Sequence, residues 1–358
     1  MLKKPKIFLE SHNIRNPNSG FGQFNYHLIK AINDLAPTNL EITIHAKATA
    51  KLRKDFNNGI KFRNYFQITR YPFFRIRKKY DLWHCMNQNT KIEPASDLPY
   101  LLTVHDVNFL EEYSFDMNHE RNVRFQAKLD RSIAITYISN YAKASTHQFF
   151  KVPDVPEYVI YNGNPINSIE LPEDHKPKII TKKPYLFSIG EFTKRKNFHS
   201  LVKVLQFLPD HDLILSGKNE TEYAKNVLIP TIEELNLENR VHITGKISDI
   251  DKHYYLNNCT AFVFPSLREG FGIPPIEAMR FGKPVFLSNN TSLPEIGGEH
   301  AFYWDHHDPK YMAQIITEGL RTYNANKEAL SKQYIAHAKS FKWSEAAKKY
   351  IDVYNTLI

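Results

Sequence analysis

Short runs of apolar residues, rich in β-branched and aromatic side chains, recur along the whole chain, and most of them end in a small or polar residue. Runs of this kind, bounded by turn residues, predict β-strands. Eleven segments fit the description: 6–10, 40–46, 82–86, 100–106, 134–139, 158–163, 185–190, 212–217, 240–245, 261–266 and 284–289. Segments of helical period lie between them. In 24–35, for example, Phe24, Leu28, Ile32 and Leu35 recur on one helical face.

The alternation of strands and helices stops at 171–184, a segment rich in proline and lysine, and then restarts. Such alternation predicts parallel sheets with helices on both faces, and a chain of 358 residues exceeds what one core usually serves. We therefore expect an α/β protein of two Rossmann-like, doubly wound domains, residues 1–170 and 171–340. They should face each other across a cleft, with a hinge near 165–184. Ligands of such sheets bind outside the carboxyl ends of the strands.

The overall composition is that of an ordinary globular protein, with 42% hydrophobic and 24% charged residues. The apolar run at the N-terminus is short and predicts a first strand rather than a signal peptide. No segment approaches the roughly 18 continuous apolar residues of a membrane helix. Cys85 and Cys259 lie far apart in the sequence, so a disulfide framework is not expected and a reducing cytoplasm is the simplest compartment.

One stretch concentrates positive charge within a chain whose formal net charge is +9. From 47 to 79 there is a single acidic residue, Asp55, against eleven basic ones: Lys47, Lys51, Arg53, Lys54, Lys61, Arg63, Arg70, Arg75, Arg77, Lys78 and Lys79. Aromatic residues interleave with them in RYPFFRIRKKY (70–80). This pattern favours contact with anionic lipid headgroups, and a solvated basic surface is the alternative. No nucleic-acid-binding module accompanies it, so nucleic acid is not an expected partner.

The stretch REGFGIPPIEAM (268–279) follows a predicted buried strand and combines two carboxylates with both permissive and rigid backbone. Its glycines allow the chain to approach a ligand closely. Its prolines suit the first turn of a helix, where a missing N–H loses nothing. Glu269 in the loop and Glu277 in the helix can then face one crevice. Because carboxylates accept hydrogen bonds from vicinal hydroxyls, the pair suits a ligand with diols at both ends, such as a nucleotide sugar.

The wider segment 261–309 resembles the donor-binding segment of glycosyltransferase family 4, whose members are retaining enzymes of the GT-B fold. Glu269 and Glu277 match the two glutamates of the E-x7-E motif of that family. The resemblance covers nearly the full length and includes NSGFGQFNYHLIKAI (18–32), TVHDVNFL (103–110), YISNYAK (137–143), VIYNGNP (159–165), YLFSIGEFTKRKNFHSLV (185–202), RVHITGKIS (240–248) and FKWSEAAKKYIDVYNTL (341–357). The last of these resembles a helix that packs back on the N-terminal domain, so 341–358 is expected to join that domain.

The resemblance implies roles for the matching residues of the second domain. Glu277 would hold the ribose hydroxyls of the donor, and Glu269 would contact the transferred sugar near its reacting face. The backbone of Phe271, Gly272 and Ile273 would support the sugar or its phosphate.

The resemblance implies donor contacts in other loops as well. His105 would lie beside the donor sugar and steady an oxocarbenium-like transition state, and Gly20 and Gly22 would close on the sugar. Ile247 would lie on the nucleobase side. Gly20 and Gly22 also match the first two positions of the dinucleotide pattern G-x-G-x-x-G, but Asn25 replaces the third glycine, and so partial a match is weak.

A cation beside the diphosphate is implied at Lys196, which occupies the lysine position of the family. Many relatives carry an arginine directly after the glycine at 190, where this chain has Glu191. Arg195 is the candidate for the missing cation, and a weaker grip on the diphosphate is the alternative. Cations in such a place stabilise the leaving diphosphate by about 2–4 kcal/mol each.

No metal or other cofactor is expected. Two Asp-x-Asp triplets, at 210–212 and 249–251, mimic the metal-binding signature of another transferase fold. Asp249 is instead expected to cap the helix that begins DIDKHYYL. The histidines show no zinc-ligand spacing, and His84 is expected to be structural.

These observations together predict a retaining hexosyltransferase that moves a hexose from a nucleotide sugar to a glycan or lipid-linked glycan. Likeness to bacterial mannosyltransferases favours GDP-mannose, with UDP-hexoses close behind. The expected setting is bacterial surface polysaccharide synthesis, in the cytoplasm or peripherally at the inner face of the membrane. Two alternatives stay open. One is a nicotinamide-dependent oxidoreductase, although His45 and Ala46 end the second strand in place of an acid; the other is a non-catalytic carbohydrate-binding protein of the same fold.

Overall fold

The apolar runs form two parallel sheets in the computed structural model, which describes residues 4–17 and 19–358. Asn18, the first residue of the stretch compared with the glycine-rich loop, lies outside the described residues. Over the described ranges the chain divides into two compact units. The first runs to Pro165 and also includes Phe341–Ile358, and the second is Ile166–Ser340.

Every strand of the described ranges runs parallel to its neighbours. The strands of the first unit are β1 (Lys6–Glu10), β2 (Glu41–His45), β3 (Lys61–Arg63), β4 (Leu82–Cys85), β5 (Tyr100–Val104), β6 (Ala134–Tyr137) and β7 (Glu157–Val159). Those of the second are β8 (Tyr185–Ile189), β9 (Asp212–Ser216), β10 (Val241–Gly245), β11 (Ala261–Phe264), β12 (Val285–Ser288) and β13 (Phe302–Trp304). The strand orders are β3-β2-β1-β4-β5-β6-β7 and β10-β9-β8-β11-β12-β13. Each order reverses once, at β1/β4 and at β8/β11, as expected of doubly wound sheets.

Helices connect the strands and cover the sheets. Over the described residues they are α1 (Gly20–Leu35), α2 (Ala50–Asp55), α3 (Phe109–Glu112), α4 (Glu120–Arg131), α5 (Asn140–Phe149), α6 (Phe198–Val204), α7 (Ile229–Glu234), α8 (Asp249–Asn258), α9 (Ile273–Met279), α10 (Leu293–Gly297), α11 (Pro309–Ala325), α12 (Lys327–Ser340) and α13 (Trp343–Leu357). In the part of the chain that is described, no helix combines the length and apolar character needed to cross a bilayer.

The cores lie on both faces of the central strands. All residues of β4, β5 and β6 are buried, as are those of β9, β11 and β12. Strands buried on both faces read as continuous apolar runs, which is why the sequence pattern located them. The pattern missed β3 and β13, two edge strands of three residues that are partly exposed.

The last helix, α13, packs within the first unit. Its Trp343 stacks on His27 of α1 with ring centroids 5.7 Å apart. The hydroxyl of Tyr354 lies 2.8 Å from Nδ1 of His84, whose Nε2 lies 2.7 Å from the hydroxyl of Thr103. His84 is fully buried, so it links β4 and β5 to the C-terminal helix, a structural role.

The second unit begins at Ile166, five residues before the predicted boundary of 170/171. Ile166 is buried in the core of this unit, and the guanidinium of Arg280 donates to the carbonyl oxygens of Ile166 and Asn167 at 3.2 and 3.0 Å. The following irregular segment is held to α8, where His175 lies 2.8 Å from the carboxylate of Asp251. Residues 166–184 therefore pack on the second unit.

Candidate functional site

The loops after β8 and β11 meet where the strand order of the second sheet reverses. The loop after β8 forms a 3₁₀ turn, Lys194–Lys196, and the loop after β11 carries Glu269. At such a point the connections leave in opposite directions and open a crevice at the carboxyl edge of the sheet. The amide of Leu267 donates to the carbonyl oxygen of Arg195 at 2.8 Å, which joins the two loops directly.

Both carboxylate oxygens of Glu269 are bound by cations from the neighbouring loop. Nζ of Lys196 lies 2.6 Å from Oε1, and Nη1 of Arg195 lies 3.2 Å from Oε2. The hydroxyl of Ser266 also donates to Oε1, at 2.5 Å. Lys196 is buried and lies 4.5 Å from the ring centroid of Phe264, a cation–π distance. Three residues predicted as site residues, Arg195, Lys196 and Glu269, are thus in direct contact.

The charge of Glu269 is maintained in spite of its burial. Burial raises the pKa of the Glu269 carboxyl, but the charges of Lys196 and Arg195 and the hydrogen bonds from Lys196 and Ser266 outweigh it, so the pKa lies below its ordinary value. The group is therefore a carboxylate at neutral pH. Among the described residues, Glu269 is the hydrogen-bond acceptor for Lys196, which has three N–H donors, so two remain for an anion.

Hydroxyl side chains from the loop after β12 fix the backbone of the Glu269 loop. The amide of Glu269 donates to the hydroxyl of Thr291 at 3.1 Å. The hydroxyl of Ser292 lies 2.9 Å from the carbonyl oxygens of both Glu269 and Phe271. Ser266, Thr291 and Ser292 were not predicted as site residues, because hydroxyl residues are common at strand ends. The contacts of Thr291 and Ser292 also join segments more than 20 residues apart.

Gly272 turns the chain from this loop into α9. Its φ of +109° lies in the region that favours glycine, and it is the residue before the first helical position, Ile273. The prolines follow within the first turn, as predicted. The helix ends at Met279. Phe271 is buried at the tip of the turn, so the predicted sugar-supporting segment is rigid on both sides of Gly272.

Glu277, in the middle of α9, is buried and forms a second ion pair. Nζ of Lys252 on α8 lies 2.8 Å from Oε1 of Glu277 and 3.2 Å from the exposed carboxylate of Asp249. Burial lowers the pKa of Lys252, but the carboxylates of Glu277 and Asp249 outweigh it and raise the pKa above its ordinary value. A carboxylate has two oxygens, and Lys252 occupies one of them. Lys252 was missed because it is 25 residues from Glu277 in the sequence.

Three other predictions concern loops near this edge. Glu191, the departure from the family pattern, is exposed and pairs with Lys218 at 2.9 Å, while Arg195 supplies a cation to Glu269. Ile247 follows β10 and packs half-buried against the core of the second unit. Asp249 does not cap α8: Ser248 does, in a capping box with Asp251, so the prediction was one residue off.

Gly20 and Gly22 lie in the first turn of α1 in the first unit, with Ser19 as the N-cap that accepts from the amide of Gly22. The two glycines differ in their surroundings. A Cβ on Gly22 would lie 1.8 Å from the carbonyl oxygen of Asn16, whereas a Cβ on Gly20 would meet nothing within 4 Å. The missing side chain at Gly22 therefore lets α1 lie close to the backbone of Asn16. At Gly20 the missing side chain leaves open space above the backbone.

His105 follows β5 and is buried edge-on between Phe21 and Phe24 of α1, with centroids 4.6 Å from each ring. Its Nε2 lies 3.0 Å from the carbonyl oxygen of Met86. A carbonyl only accepts, so Nε2 carries the proton and Nδ1 is the acceptor of the neutral ring. Burial lowers the pKa of His105 to about 4, which keeps it neutral at physiological pH. The roles of Gly20, Gly22 and His105 toward a sugar stay predictions.

A cluster that the sequence did not reveal lies at the carboxyl ends of β1 and β2. The carboxylate of Glu10 is fully buried, 2.7 Å from Nδ1 of His12 and 3.5 Å from Nδ1 of His45. Burial raises the pKa of Glu10, but the two histidines outweigh it and hold the pKa well below its ordinary range. Tyr65 stacks on His12 with centroids 5.0 Å apart. The cluster fixes the start of the loop that leads to α1.

Comparison with known sequences gives a family-model match within the second unit. Residues 171–339 match the family model for Glycosyl transferases group 1. The chain is 34% identical over 178 residues to O-antigen chain mannosyltransferase B of Escherichia coli, an alignment that covers 48% of this chain and 46% of that protein. The alignment thus spans less than half the length of that relative. These matches confirm the predicted resemblance to glycosyltransferases, and to bacterial mannosyltransferases in particular.

Comparison with solved structures covers both units. Sucrose-phosphate synthase from Thermosynechococcus elongatus aligns with a TM-score of 0.77 at 17% identity, over 99% of each chain. The Anabaena protein HepE in complex with UDP-glucose aligns with a TM-score of 0.69 at 17% identity, over 98% of this chain and 99% of that one. At such identities the likeness concerns the fold, and it confirms the predicted GT-B architecture.

Proposed function

Because residues 171–339 form a group 1 glycosyl transferase domain, we propose that this chain transfers a hexose from a nucleotide sugar to a hydroxyl group of a glycan acceptor. The observation that carries the proposal is the presence of two ion pairs with buried carboxylates in that domain, Lys196–Glu269 and Lys252–Glu277. Each pair places a carboxylate that can bind sugar hydroxyls next to a lysine.

Lys196 and Arg195 would meet the charge that develops on the leaving nucleoside diphosphate. Both are already oriented by Glu269, so little reorganisation is needed when a phosphate enters. Lys196 contributes N–H donors in a buried setting, where an ionic hydrogen bond is stronger than in water. Glu269 would accept from the hydroxyls of the transferred sugar, since it is ionised and fixed by Ser266.

Glu277 would bind the ribose hydroxyls of the donor. Its pairing with Lys252 leaves a second carboxylate oxygen for a diol. Ile247, Phe271 and the backbone at Gly272 would contribute the apolar and close-approach surfaces next to the nucleotide and sugar.

The donor we propose is GDP-mannose, and the reaction proceeds with retention at the anomeric carbon. The support for mannose is the similarity to O-antigen chain mannosyltransferase B, and the support for a nucleotide sugar is the similarity to a protein solved with UDP-glucose. The reaction needs no metal in this proposal, because Lys196 and Arg195 take the place of one at the diphosphate.

The acceptor we propose is a lipid-linked glycan of a bacterial surface polysaccharide, bound through the first unit at the cytoplasmic face of the membrane. The support is the O-antigen role named for the relative and the basic, aromatic stretch 47–79. In that stretch Tyr71 and Phe73 are 64% and 76% exposed, which is unusual for large aromatic side chains.

A thermal-shift panel tests the donor assignment. We expect GDP-mannose and GDP to raise the melting temperature of the chain, since a ligand at 100 times its Kd stabilises by about 2.7 kcal/mol. Glu269→Gln should keep the shift with GDP but reduce mannosyl transfer at least about 100-fold, measured with a chelator present and with the anomer of the product read by NMR.

Glu328→Gln is the matched control, because it neutralises an exposed carboxylate of the same unit that pairs only with exposed Lys332. A shift with NAD alone would contradict the glycosyltransferase assignment. Transfer at the wild-type rate by the Glu269→Gln variant would contradict the role of that residue, and a larger shift with UDP-hexoses than with GDP-mannose would replace the donor.

A further inference from the structure

A pocket of about 390 Å³ in the first unit is lined mainly by cations. Its lining residues are Arg70, Pro72, Arg75, Lys91, Glu93, Arg124, Ala127, Lys128 and Arg131. Six of these nine side chains are basic and one is acidic, so the pocket concentrates a positive potential in a concave surface.

Helix α4 forms one wall of this pocket, which we call the basic pocket. Arg124, Ala127, Lys128 and Arg131 recur at intervals of three and four residues and therefore share one helical face. The small side chain of Ala127 leaves the space between the cations open. The opposite wall comes from the basic stretch 47–79, through Arg70 and Arg75.

Four of the six cations already have carboxylate partners. Lys128 and Arg131 pair with Glu93, the latter at 3.2 Å. Lys91 and Arg124 pair with Glu120, at 3.0 and 2.7 Å. Glu120 is largely exposed, so its pairs contribute little stabilisation, and the two glutamates leave the six cations with a net positive charge.

Arg70 and Arg75 carry uncompensated charge. Within the described residues no carboxylate lies within ion-pair distance of either, and Nε of Arg75 is buried without a hydrogen-bond partner. Arg75 is held in place by its neighbour: Ile76 is buried and accepts a hydrogen bond from the amide of Ala95 at 3.0 Å. A guanidinium without a carboxylate partner in a basic concavity is a site for an anion, and phosphate fits it because arginine binds phosphate through two parallel hydrogen bonds.

Exposed aromatic side chains lie on the same short segment as these arginines. Two 3₁₀ turns, Gln67–Arg70 and Pro72–Phe74, carry Arg70 and present Tyr71 and Phe73 to solvent. Apolar and aromatic side chains next to clustered cations are typical of surfaces that enter the interfacial region of an anionic bilayer. A soluble phosphate compound would give these aromatic side chains nothing to contact, so a lipid headgroup explains more of the surface.

We propose that the basic pocket binds the phosphate group of an anionic membrane lipid, with Arg70 and Arg75 as the principal ligands and Tyr71 and Phe73 inserted beside it. The inference rests on the proposed membrane contact of the stretch 47–79 and gives that contact a specific site. It differs from a general attraction of the net positive charge, because it depends on which arginines are present and not only on how many.

Co-sedimentation of the full chain with vesicles tests the proposal. The vesicles contain phosphatidylcholine alone or phosphatidylcholine with phosphatidic acid. The pocket variant is Arg70→Gln/Arg75→Gln. The matched control, Arg53→Gln/Arg77→Gln, removes the same charge and residue type from the same basic stretch, but neither arginine lines the pocket. In the control, Arg53 lies over the ring of Phe62 and Arg77 lies over the ring of Phe73.

We expect the wild-type chain to bind vesicles that contain phosphatidic acid, and the pocket variant to lose about tenfold more affinity than the control. Equal losses in the two variants would reduce the effect to net charge and overturn the proposal. A thermal shift with inorganic phosphate that is abolished in the pocket variant, together with equal vesicle binding, would assign the pocket to a free phosphate and also overturn it. The shift with GDP, measured on the same proteins, reports the donor site separately.

Discussion

In the proposed reaction Lys196 has two functions that a single substitution cannot separate. It pairs with the buried carboxylate of Glu269, and it would offer N–H donors to the diphosphate of the donor. Removing the lysine leaves the buried carboxylate with Arg195 and Ser266 alone, whereas replacing both Lys196 and Glu269 leaves two neutral side chains. The comparison of a single with a double variant therefore distinguishes the contribution to stability from the contribution to binding.

We predict that Lys196→Met lowers the free energy of unfolding by about 3–5 kcal/mol, because Glu269 is then buried without Lys196. The variant Lys196→Met/Glu269→Gln should recover most of this loss and still bind GDP weakly. Urea denaturation gives the first quantity and titration with GDP the second. If the double variant binds GDP as tightly as the wild-type chain, Lys196 serves stability alone.

The sequence predicted a site residue at the carboxyl edge of the second sheet only where that residue belongs to a recognisable motif. Glu269 and Glu277 stand at a recognisable spacing, and Lys196 stands at a fixed position after a strand. Lys252 and Thr291 carry no such mark, because each meets its partner from a separate element. The cluster of Glu10, His12 and His45 escaped notice for the same reason.

At the scale of elements, the turn into α1 depends on two glycines with different requirements. Gly22 faces the carbonyl oxygen of Asn16, and Gly20 faces open space. Both are in helical positions, where alanine is ordinarily favoured over glycine by about 1 kcal/mol. The packing around each glycine therefore decides whether alanine stabilises or destabilises the turn.

We predict that Gly22→Ala lowers the melting temperature of the chain, since its Cβ would overlap the backbone of Asn16 and force the preceding loop to move. Gly20→Ala is the matched control and should leave the melting temperature unchanged or slightly raised. If Gly20 approaches the donor, as the family resemblance implies, Gly20→Ala will fold normally and lose affinity for GDP-mannose. Equal melting temperatures in the two variants would contradict the close approach at Gly22.

The pattern of apolar residues predicted the central strands of both sheets because those strands are buried on both faces. It missed β3 and β13, since three-residue edge strands that are partly exposed have no continuous apolar run. It placed the cap of α8 one residue late, because Ser248 and Asp249 are both good cap residues and only the capping box with Asp251 decides between them. The local sequence pattern therefore located the strands that are buried in the core and missed the short, partly exposed ones.

At the scale of the whole molecule, the chain enters the first unit, forms the second, and returns. Phe341–Ile358 belongs to the first unit, although 175 residues of the second, Ile166–Ser340, separate it from the rest. The contacts that hold it are specific: α13 packs on α1 through Trp343, and Tyr354 reaches His84 in the buried sheet. The strand–helix alternation and the chain length predicted two units, but the boundary depended on the burial of Ile166.

We predict that Tyr354→Phe destabilises the first unit selectively, because Nδ1 of His84 loses its buried hydrogen-bond partner at a cost of about 1–3 kcal/mol. Hydrogen exchange should show faster opening of β4 and β5, with β9 and β11 unchanged. Thr356→Val is the control, since the hydroxyl of Thr356 is exposed and bonds only within α13. Equal acceleration in both sheets would mean that the units unfold together.

The return of the chain also sets an order of events during synthesis. Residues 4–165 leave the ribosome first, yet the surface of α1 that receives Trp343 stays uncovered until the whole second unit has been made. At a synthesis rate of about 5–20 residues per second, that interval lasts roughly ten seconds or more. The second unit is continuous in the chain and can complete its fold before the first. In the cell, the half that is translated first is therefore the half that is finished last.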